Sequence, residues 1–277
     1  MKIKNWLKYA SLKLKKTSSS PNLDAEILLS YVLKKCRTWI ISNDFIKLTY
    51  DNLIDLNVLL QRRMNSEPIS YLIHVKEFWS LPFLVSNSTL IPRPDTEILV
   101  EKALIYLKNL SNAKVLDLGT GCGSIALALA SERLDCKIIG IDCVKESISI
   151  ASKNAKILKL KNVSFLHSIW FSKVDNMFDM IVSNPPYLSF SEMKNVDKEV
   201  LFEPFIALFS SENGLGAIRH IIKYSKKYLY SKAWLLVEHG WKQKDKVQSF
   251  FYKYSFININ TYRDYCDSDR VTVGQKQ

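Results

Sequence analysis

The chain has 277 residues, 47% of them hydrophobic and 24% charged, ordinary values for a globular protein and enough length for roughly two domains of about 150 residues. Disorder, collagen-like repeats and long coiled coils are excluded. Lys and Arg outnumber Asp and Glu by 39 to 27, a net charge of +12 that favours polyanionic neighbours such as nucleic acid or the ribosome. Only 8 of those bases are Arg, so the bidentate fork used to read nucleic-acid bases is scarce and the charge reads equally well as a Lys-rich compositional habit.

The five cysteines, at positions 36, 122, 136, 143 and 266, include no C-x-x-C pair. That is neither a disulfide framework nor a zinc site, and a reducing compartment is expected. Lys interrupts the apolar residues of Met1-Lys-Ile-Lys-Asn-Trp-Leu-Lys, so no signal-peptide core is expected. No apolar run approaches the roughly 20 residues that span a bilayer. A cytoplasmic protein without membrane contact is the expectation.

Residues 1 to about 65 read as helices. Trp6, Leu7, Ala10 and Leu14 share helical spacing on a segment with six Lys and no acid among its first twenty residues. The breaker Ser18-Ser-Ser-Pro-Asn22 precedes a second such stretch with Leu23, Ile27, Leu28, Tyr31 and Val32, and a third carries Leu53, Leu56, Leu60 and Met64 before Arg62 and Arg63 close it. Trp6, Tyr9, Tyr31 and Trp39 are expected to pack between these helices. From Glu67-Pro68 the texture turns to short β-prone pieces, Glu77-Phe-Trp-Ser80 and Phe83-Leu-Val85, which predicts a hairpin linker. Pro92, Pro94 and Asp95-Thr96-Glu97 then signal a helix start before Leu99, Ala103 and Leu107.

After Asn112 the apolar runs Val115–Leu118, Ile138–Ile141, Met180–Val182 and Trp234–Val237 alternate with helical stretches. This βαβ texture predicts an α/β fold with a mostly parallel sheet. Phe256–Thr261 and Arg270–Gly274 lie too close together for a crossover helix and should form an antiparallel hairpin at its end. The expected division is a helical domain over 1–70, a hairpin linker over 71–94 and a main domain over 95–277.

Two constellations carry chemistry. In Val115-Leu-Asp-Leu-Gly-Thr-Gly-Cys-Gly123 a buried strand runs into Gly119, Gly121 and Gly123 and then a helix. Such a turn lets a ligand lie against bare backbone at a helix N-terminus. Its spacing is G-x-G-x-G, unlike the dinucleotide fingerprint. Asp142 ends the next strand, where an acid can accept hydrogen bonds from two ribose hydroxyls. The second constellation, Asn184-Pro-Pro-Tyr187, follows the strand Met180-Ile-Val-Ser183. The prolines bring no N–H and restrain the residues before them. The Asn184 side-chain oxygen and the Pro185 carbonyl can therefore stand as two fixed acceptors for a planar –NH₂ group, with the Tyr187 ring over its plane.

Together these motifs resemble the class I S-adenosylmethionine methyltransferases that act on nitrogen. More closely, the sequence is similar to the release-factor glutamine methyltransferases of the PrmC/HemK type. That similarity extends through Glu67-Pro-Ile-Ser-Tyr-Leu72, Glu77-Phe-Trp-Ser80, Leu90-Ile-Pro-Arg-Pro-Asp-Thr-Glu97, Glu203-Pro204, Glu238-His-Gly240 and Arg263-Asp-Tyr265, essentially the whole chain. The resemblance implies a Rossmann-like seven-stranded domain behind a small helical domain. It implies a substrate, the glutamine of the Gly-Gly-Gln motif in class-one peptide-chain release factors. It also implies S-adenosyl-L-methionine as cofactor, leaving as S-adenosyl-L-homocysteine.

On matching positions, Gly119, Thr120, Gly121, Cys122 and Gly123 would lie along the methionine and ribose portions, Asp142 would take the ribose, and Trp170 would pack near the adenine. Asn184 would touch cofactor and substrate, with Pro185, Pro186 and Tyr187 completing the amide slot. Asn184, Pro185 and Tyr187 are the catalytic candidates. The chain departs from the family pattern at Ile169, where Asp is usual, and at Cys122, where Ser or Thr is common. No metal is expected, because His74, His167, His220 and His239 lack ligand spacing. His239 is expected to make structural hydrogen bonds. Glu203 either frames the substrate entrance or orders a loop, and Arg93 either contacts substrate or sits solvated in a turn. The competing readings are an amino methyltransferase for DNA adenine or rRNA guanine and a degenerate fold that binds ribosomal partners. Direct nucleic-acid binding is not expected to be needed.

Overall fold

The apolar spacing of the first seventy-odd residues folds as five helices: Ile3–Leu14, Pro21–Leu33, Arg37–Ser42, Tyr50–Met64 and Ile69–Ile73. The chain is described over residues 1–277 in a computed structural model. Ile3, Trp6, Ala10, Leu28, Leu29, Ile40, Leu56, Leu60 and Leu72 close into one buried cluster. Pro21, read as part of a breaker, is the first residue of its helix, where the missing N–H leaves nothing unpaired. Thr49 and Asn52 exchange side-chain and backbone hydrogen bonds in a capping box that starts the fourth helix. Arg37–Ser42 and Ile69–Ile73 are too short to show a period, so the sequence reading missed both.

Two of the four aromatic residues expected in this core are not in it. Trp6 is buried and Trp39 packs partly buried against the cluster, but Tyr9 and Tyr31 are 41% and 44% exposed. The buried stripe of the first helix runs through Ile3, Trp6, Ala10 and Leu14. Tyr9 falls beside it, with the Lys13 ammonium over its ring. Tyr31 likewise stands off the Asp24, Ala25, Leu28, Leu29 stripe of the second helix.

Arg63, only 3% exposed, donates to Asp24 Oδ2 at 2.7 Å and to the Glu67 carbonyl at 3.0 Å, and also pairs with Glu199. The helical unit accordingly comprises Met1–Val75 together with Asp197–Phe202, while Lys76–Val196 and Glu203–Gln277 form the other. A reading in chain order expects one boundary near residue 70 and carries no signal for this return of the chain.

β1 (Val75–Phe78) and β2 (Leu81–Leu84) make the expected hairpin. The main sheet comprises β3 (Lys114–Leu118), β4 (Lys137–Asp142), β5 (Val163–His167), β6 (Phe178–Ser183), β7 (Leu229–Glu238), β8 (Phe256–Arg263) and β9 (Asp269–Lys276), in the order β5-β4-β3-β6-β7-β9-β8. β3 to β7 are parallel, and β9 inserts antiparallel between β7 and β8. Val115, Leu116, Leu118, Met180, Ile181, Val182 and Leu235–Val237 are all buried. Successive side chains of a strand point to opposite faces, so these strands are covered on both. β5 is an edge strand whose residues alternate between half-buried and exposed, which is why its apolar signal was too weak to read. No helix is long and apolar enough to cross a membrane.

The register sets the site. Leu118 pairs with Ile141 and with Ser183, and Ser183 pairs with Val237. The next residue on each strand is therefore level with its neighbours: Asp142, Gly119, Asn184 and Glu238. The strand order reverses between β3 and β6, and at such a switch point a crevice opens outside the carboxyl ends of the strands.

Arg63→Met leaves the buried Asp24 carboxylate without its cation, which should cost about 3 kcal/mol or more. Urea unfolding of the full chain would measure it.

Candidate active site

A cavity of about 550 Å³ lies at this switch point, within the usual size of small-molecule sites. Its wall includes Gly119, Gly121, Asp142, Ser168, Ile169, Trp170, Asn184, Pro186 and His220, and no Lys or Arg. In a chain of net charge +12, a wall with an acid and no base suits a cationic ligand and disfavours phosphates.

The glycine turn is built from buried bonds. The Gly119 and Thr120 N–H groups donate to the Ile141 carbonyl at 2.9 and 2.8 Å, stitching the turn to the end of β4. Thr120 Oγ1 donates to Asp117 Oδ2 at 2.6 Å. Asp117 is completely buried and its Oδ1 has no partner. Burial pushes its carboxyl up to about 7, against the Thr120 hydrogen bond. Gly123 caps the helix Ser124–Glu132 at φ +87°, and a Cβ there would press on Leu127, Ala151 and Phe165 at 3.0 to 3.2 Å. At Gly119 and Gly121, by contrast, a Cβ would meet nothing within 4 Å, so the turn presents bare backbone to open space.

Asp142 both caps and faces the cavity. Its Oδ2 accepts from the Gly121 N–H and its Oδ1 from the Val144 N–H, each at 2.9 Å. Burial raises its carboxyl above the usual range, against those backbone donors. Each oxygen keeps a second acceptor position for a ligand hydroxyl. Thr120, Cys122 and Gly123 are not part of the cavity wall, and the Thr120 and Cys122 side chains are buried. Cys122 is buried and its thiol is pushed up to about 12 by burial, so it is inert.

Trp170 holds a left-handed backbone conformation at φ +46°, fixed by the Ser168 hydroxyl, which donates to its carbonyl at 3.0 Å. Its ring lies 6.1 Å from the His220 ring, which in turn lies 4.6 Å from that of Tyr224. Burial and Lys223 lower the basicity of His220, favouring the neutral imidazole. Ile169 lines the cavity and is 65% exposed.

Asn184 Nδ2 donates to Thr96 Oγ1 at 3.1 Å. Neither Asn184 Oδ1 nor the Pro185 carbonyl accepts a hydrogen bond from the protein. Pro186 lines the cavity, whereas Pro185 and Tyr187 do not. Tyr187 is fixed instead by its own backbone: its carbonyl accepts from Gln243 Nε2 at 3.0 Å, and its ring packs beside Gly240. Burial and the nearby Glu238 charge raise the Tyr187 hydroxyl, keeping it neutral. Gly214 sits at φ +86° against the Tyr187 carbonyl, where any Cβ would collide.

The remaining candidates are structural. Glu203 accepts from the Ile91 N–H at 3.0 Å and pairs with Arg93, so both residues order the loop between β2 and the next helix. His239 is buried, with Nδ1 2.9 Å from the Gly240 carbonyl and Nε2 2.8 Å from the Thr272 hydroxyl. No group of His, Cys, Asp and Glu residues has the arrangement of a metal site.

Sequence reasoning missed Asp117, Thr96, Glu238 and His220. In the sequence Thr96 carries only a helix-start signal, and Glu238 stands beside a histidine that draws the chemical reading to itself. The reasoning that singled out Asp142, an acid ending a buried parallel strand, applies equally to Glu238.

A seven-stranded sheet of this order, with a glycine turn and an acid at adjoining strand ends, defines the class I S-adenosylmethionine-dependent methyltransferases. Residues 109–253 match the family described as "Methyltransferase domain" and residues 5–73 match "PrmC N-terminal domain". The chain is 52% identical over 276 residues to the release factor glutamine methyltransferase of Buchnera aphidicola subsp. Acyrthosiphon pisum, covering 100% of this chain and 99% of that one. It is 46% identical over 276 residues to the Escherichia coli K12 protein of that name, covering 99% of each. The chain belongs to the release factor glutamine methyltransferase family. Among solved structures, a methyltransferase from Pyrococcus furiosus shares the fold with a TM-score of 0.53 at 15% identity, covering 73% of this chain and 91% of that one. A Thermus thermophilus 16S rRNA N2 G1207 methyltransferase does so at 0.52 and 17% identity, covering 73% and 50%.

Gly214→Ala forces both a left-handed alanine and a displaced Tyr187 carbonyl. It should destabilise the chain by about 2–4 kcal/mol, read as a lower urea midpoint at unchanged slope.

Proposed function

We propose that the chain transfers a methyl group from S-adenosyl-L-methionine to the side-chain amide nitrogen (N5) of the glutamine in the Gly-Gly-Gln motif of class-one peptide-chain release factors. Full-length similarity at about half identity, including the N-terminal unit, carries this reading. The Asn-Pro-Pro-Tyr turn alone would not, because nucleic-acid amino methyltransferases share it.

The cavity fits the cofactor: bare glycine backbone, a strand-end acid, an aromatic wall and no base. Gly119 and Gly121 would lie along the methionine and ribose portions, with Thr120, Cys122 and Gly123 holding the turn behind them. Asp142 would accept from the ribose hydroxyls, and Trp170 and His220 would bound the adenine. When bound, the cofactor supplies an electrophilic methyl on a sulfonium, and its product is S-adenosyl-L-homocysteine.

The chain's own task is to make a poor nucleophile react. An amide lone pair is delocalised into its carbonyl. Asn184 Oδ1 and the Pro185 carbonyl would each accept one N–H of the glutamine amide, raising electron density on nitrogen and orienting it. Pro186 and Tyr187 bound the slot. Acceleration then comes from orientation and preorganised dipoles, and this chemistry calls for no metal. A substrate that acts on the ribosome implies work in the cytoplasm, with the release factor as partner and no need for direct nucleic-acid binding.

Incubation with labelled cofactor and, separately, a release factor, DNA and rRNA tests the reading: label should enter the release factor alone, at the Gly-Gly-Gln glutamine. Asp142→Ala should weaken cofactor binding by about 1–3 kcal/mol, measured by calorimetric titration. Asn184→Ala should slow single-turnover methyl transfer about 10²–10³-fold, with Asn184→Asp retaining more activity because it keeps an acceptor.

A further inference from the structure

Glu238 stands level with Asn184 at the end of β7, one residue past the paired Ser183 and Val237. It is 1% exposed, and its Oε2 has no hydrogen-bond partner. A buried carboxylate with an unused oxygen is costly unless it has work to do. The Thr96 hydroxyl and the Asn184 amide lie beside it, and both favour its ionised form.

Asn184 Nδ2 donates to Thr96 Oγ1, so the Thr96 hydroxyl must direct its own proton elsewhere, and the carboxylate that it and Asn184 stabilise is Glu238. An anion there would fix the direction of every proton in the chain. Asn184 is left with its NH₂ turned inward and its Oδ1 turned to the cavity. Resting on the proposed glutamine methylation, we propose that Glu238 is a positioning residue for that reaction: its carboxylate, acting through Thr96, holds Asn184 with the acceptor oxygen toward the substrate amide, and must be ionised to do so.

A protonated Glu238 reverses the chain. Its O–H donates to Thr96, Thr96 donates to Asn184, and the Asn184 amide turns its oxygen inward. The slot then offers a donor to a substrate that needs an acceptor. The ionised form also draws electron density through the hydrogen bonds toward the Asn184 oxygen and opposes the positive charge that develops on the methylated nitrogen.

The charged groups facing Glu238 come from several elements. Burial raises its carboxyl most and Asp95, ahead of the helix Glu97–Leu107, adds to that; Arg270 on β9 lowers it. Tyr187, raised by burial and the Glu238 charge against Arg270 and Arg93, stays neutral. Arg270 divides its own charge between Asp264 at 2.8 Å and Asp95 at 3.4 Å. The balance pushes the Glu238 carboxyl up to about 7. Ionised carboxylate increases with pH, so the transfer rate should climb from acid pH through that value and level off above it.

Single-turnover methylation of a purified release factor by the full chain, from about pH 5 to 9, tests this. Wild type should show the rising limb. Glu238→Gln should lose it, giving a flat profile about 10-fold or more below the wild-type plateau. Thr96→Val should lower the rate similarly, and Thr96→Ser, which keeps the hydroxyl, should restore it. Cofactor affinity by calorimetry should stay within about 3-fold in all three, since neither residue lines the cavity. A rising limb at wild-type rate in Glu238→Gln, or equal rates in Thr96→Val and Thr96→Ser, would overturn the proposal. So would a loss of cofactor affinity large enough to explain the slower rate. Absence of methyl transfer by the wild type at every pH is a separate result, and it removes the glutamine reading and this proposal together.

Discussion

The site depends on one constraint, the parallel register that brings four strands to a common level beside the crevice. Leu118, Ile141, Ser183 and Val237 share one level across β3, β4, β6 and β7. The residues that follow lie side by side on one face of the sheet. A slip of one residue in any pair would turn a functional side chain to the opposite face. The buried Val, Leu, Ile and Met side chains of those strands set that register, so the hydrophobic core is also the ruler by which the site is measured.

Electrostatics follow from the same placement. The chain is basic overall, yet its strand ends gather Asp117, Asp142 and Glu238, all heavily shielded from water. Burial raises each of these carboxyls, and backbone N–H groups or hydroxyls offset the effect to different degrees. Asp142, with two backbone donors, keeps its charge most readily. Of the three, Asp142 alone lines the cavity, on a wall that holds no Lys or Arg.

Much of this was legible in the sequence. Val115–Leu118, Ile138–Ile141, Met180–Val182 and Trp234–Val237 are continuous apolar runs, and their burial on both faces is what makes such runs conspicuous. The glycine turn and the Asn-Pro-Pro-Tyr turn were legible because backbone geometry demands those residue types. What escaped notice depended on context. β5 is half-exposed and lacks an apolar run, and the two short helices hold too few residues to show a period. Tyr9 and Tyr31 have core-like side chains but stand off the buried stripe, a matter of helix rotation that composition does not reveal. Thr96 and Asn184 lie 88 positions apart, and only the folded sheet makes them neighbours.

The bond network around Arg63 also bears on how the chain can be taken apart. Because Asp197–Phe202 belongs with the N-terminal helices, the polypeptide enters the helical unit, leaves it, and re-enters it about ten residues after Tyr187. No single cut separates the two units. A fragment beginning after Val75 would carry an orphaned piece of the other unit, with Glu199 deprived of its guanidinium. The helical unit expressed alone would lack a segment in the same way. A gene fusion or domain exchange that respects only the boundary at residue 75 would divide a folded body.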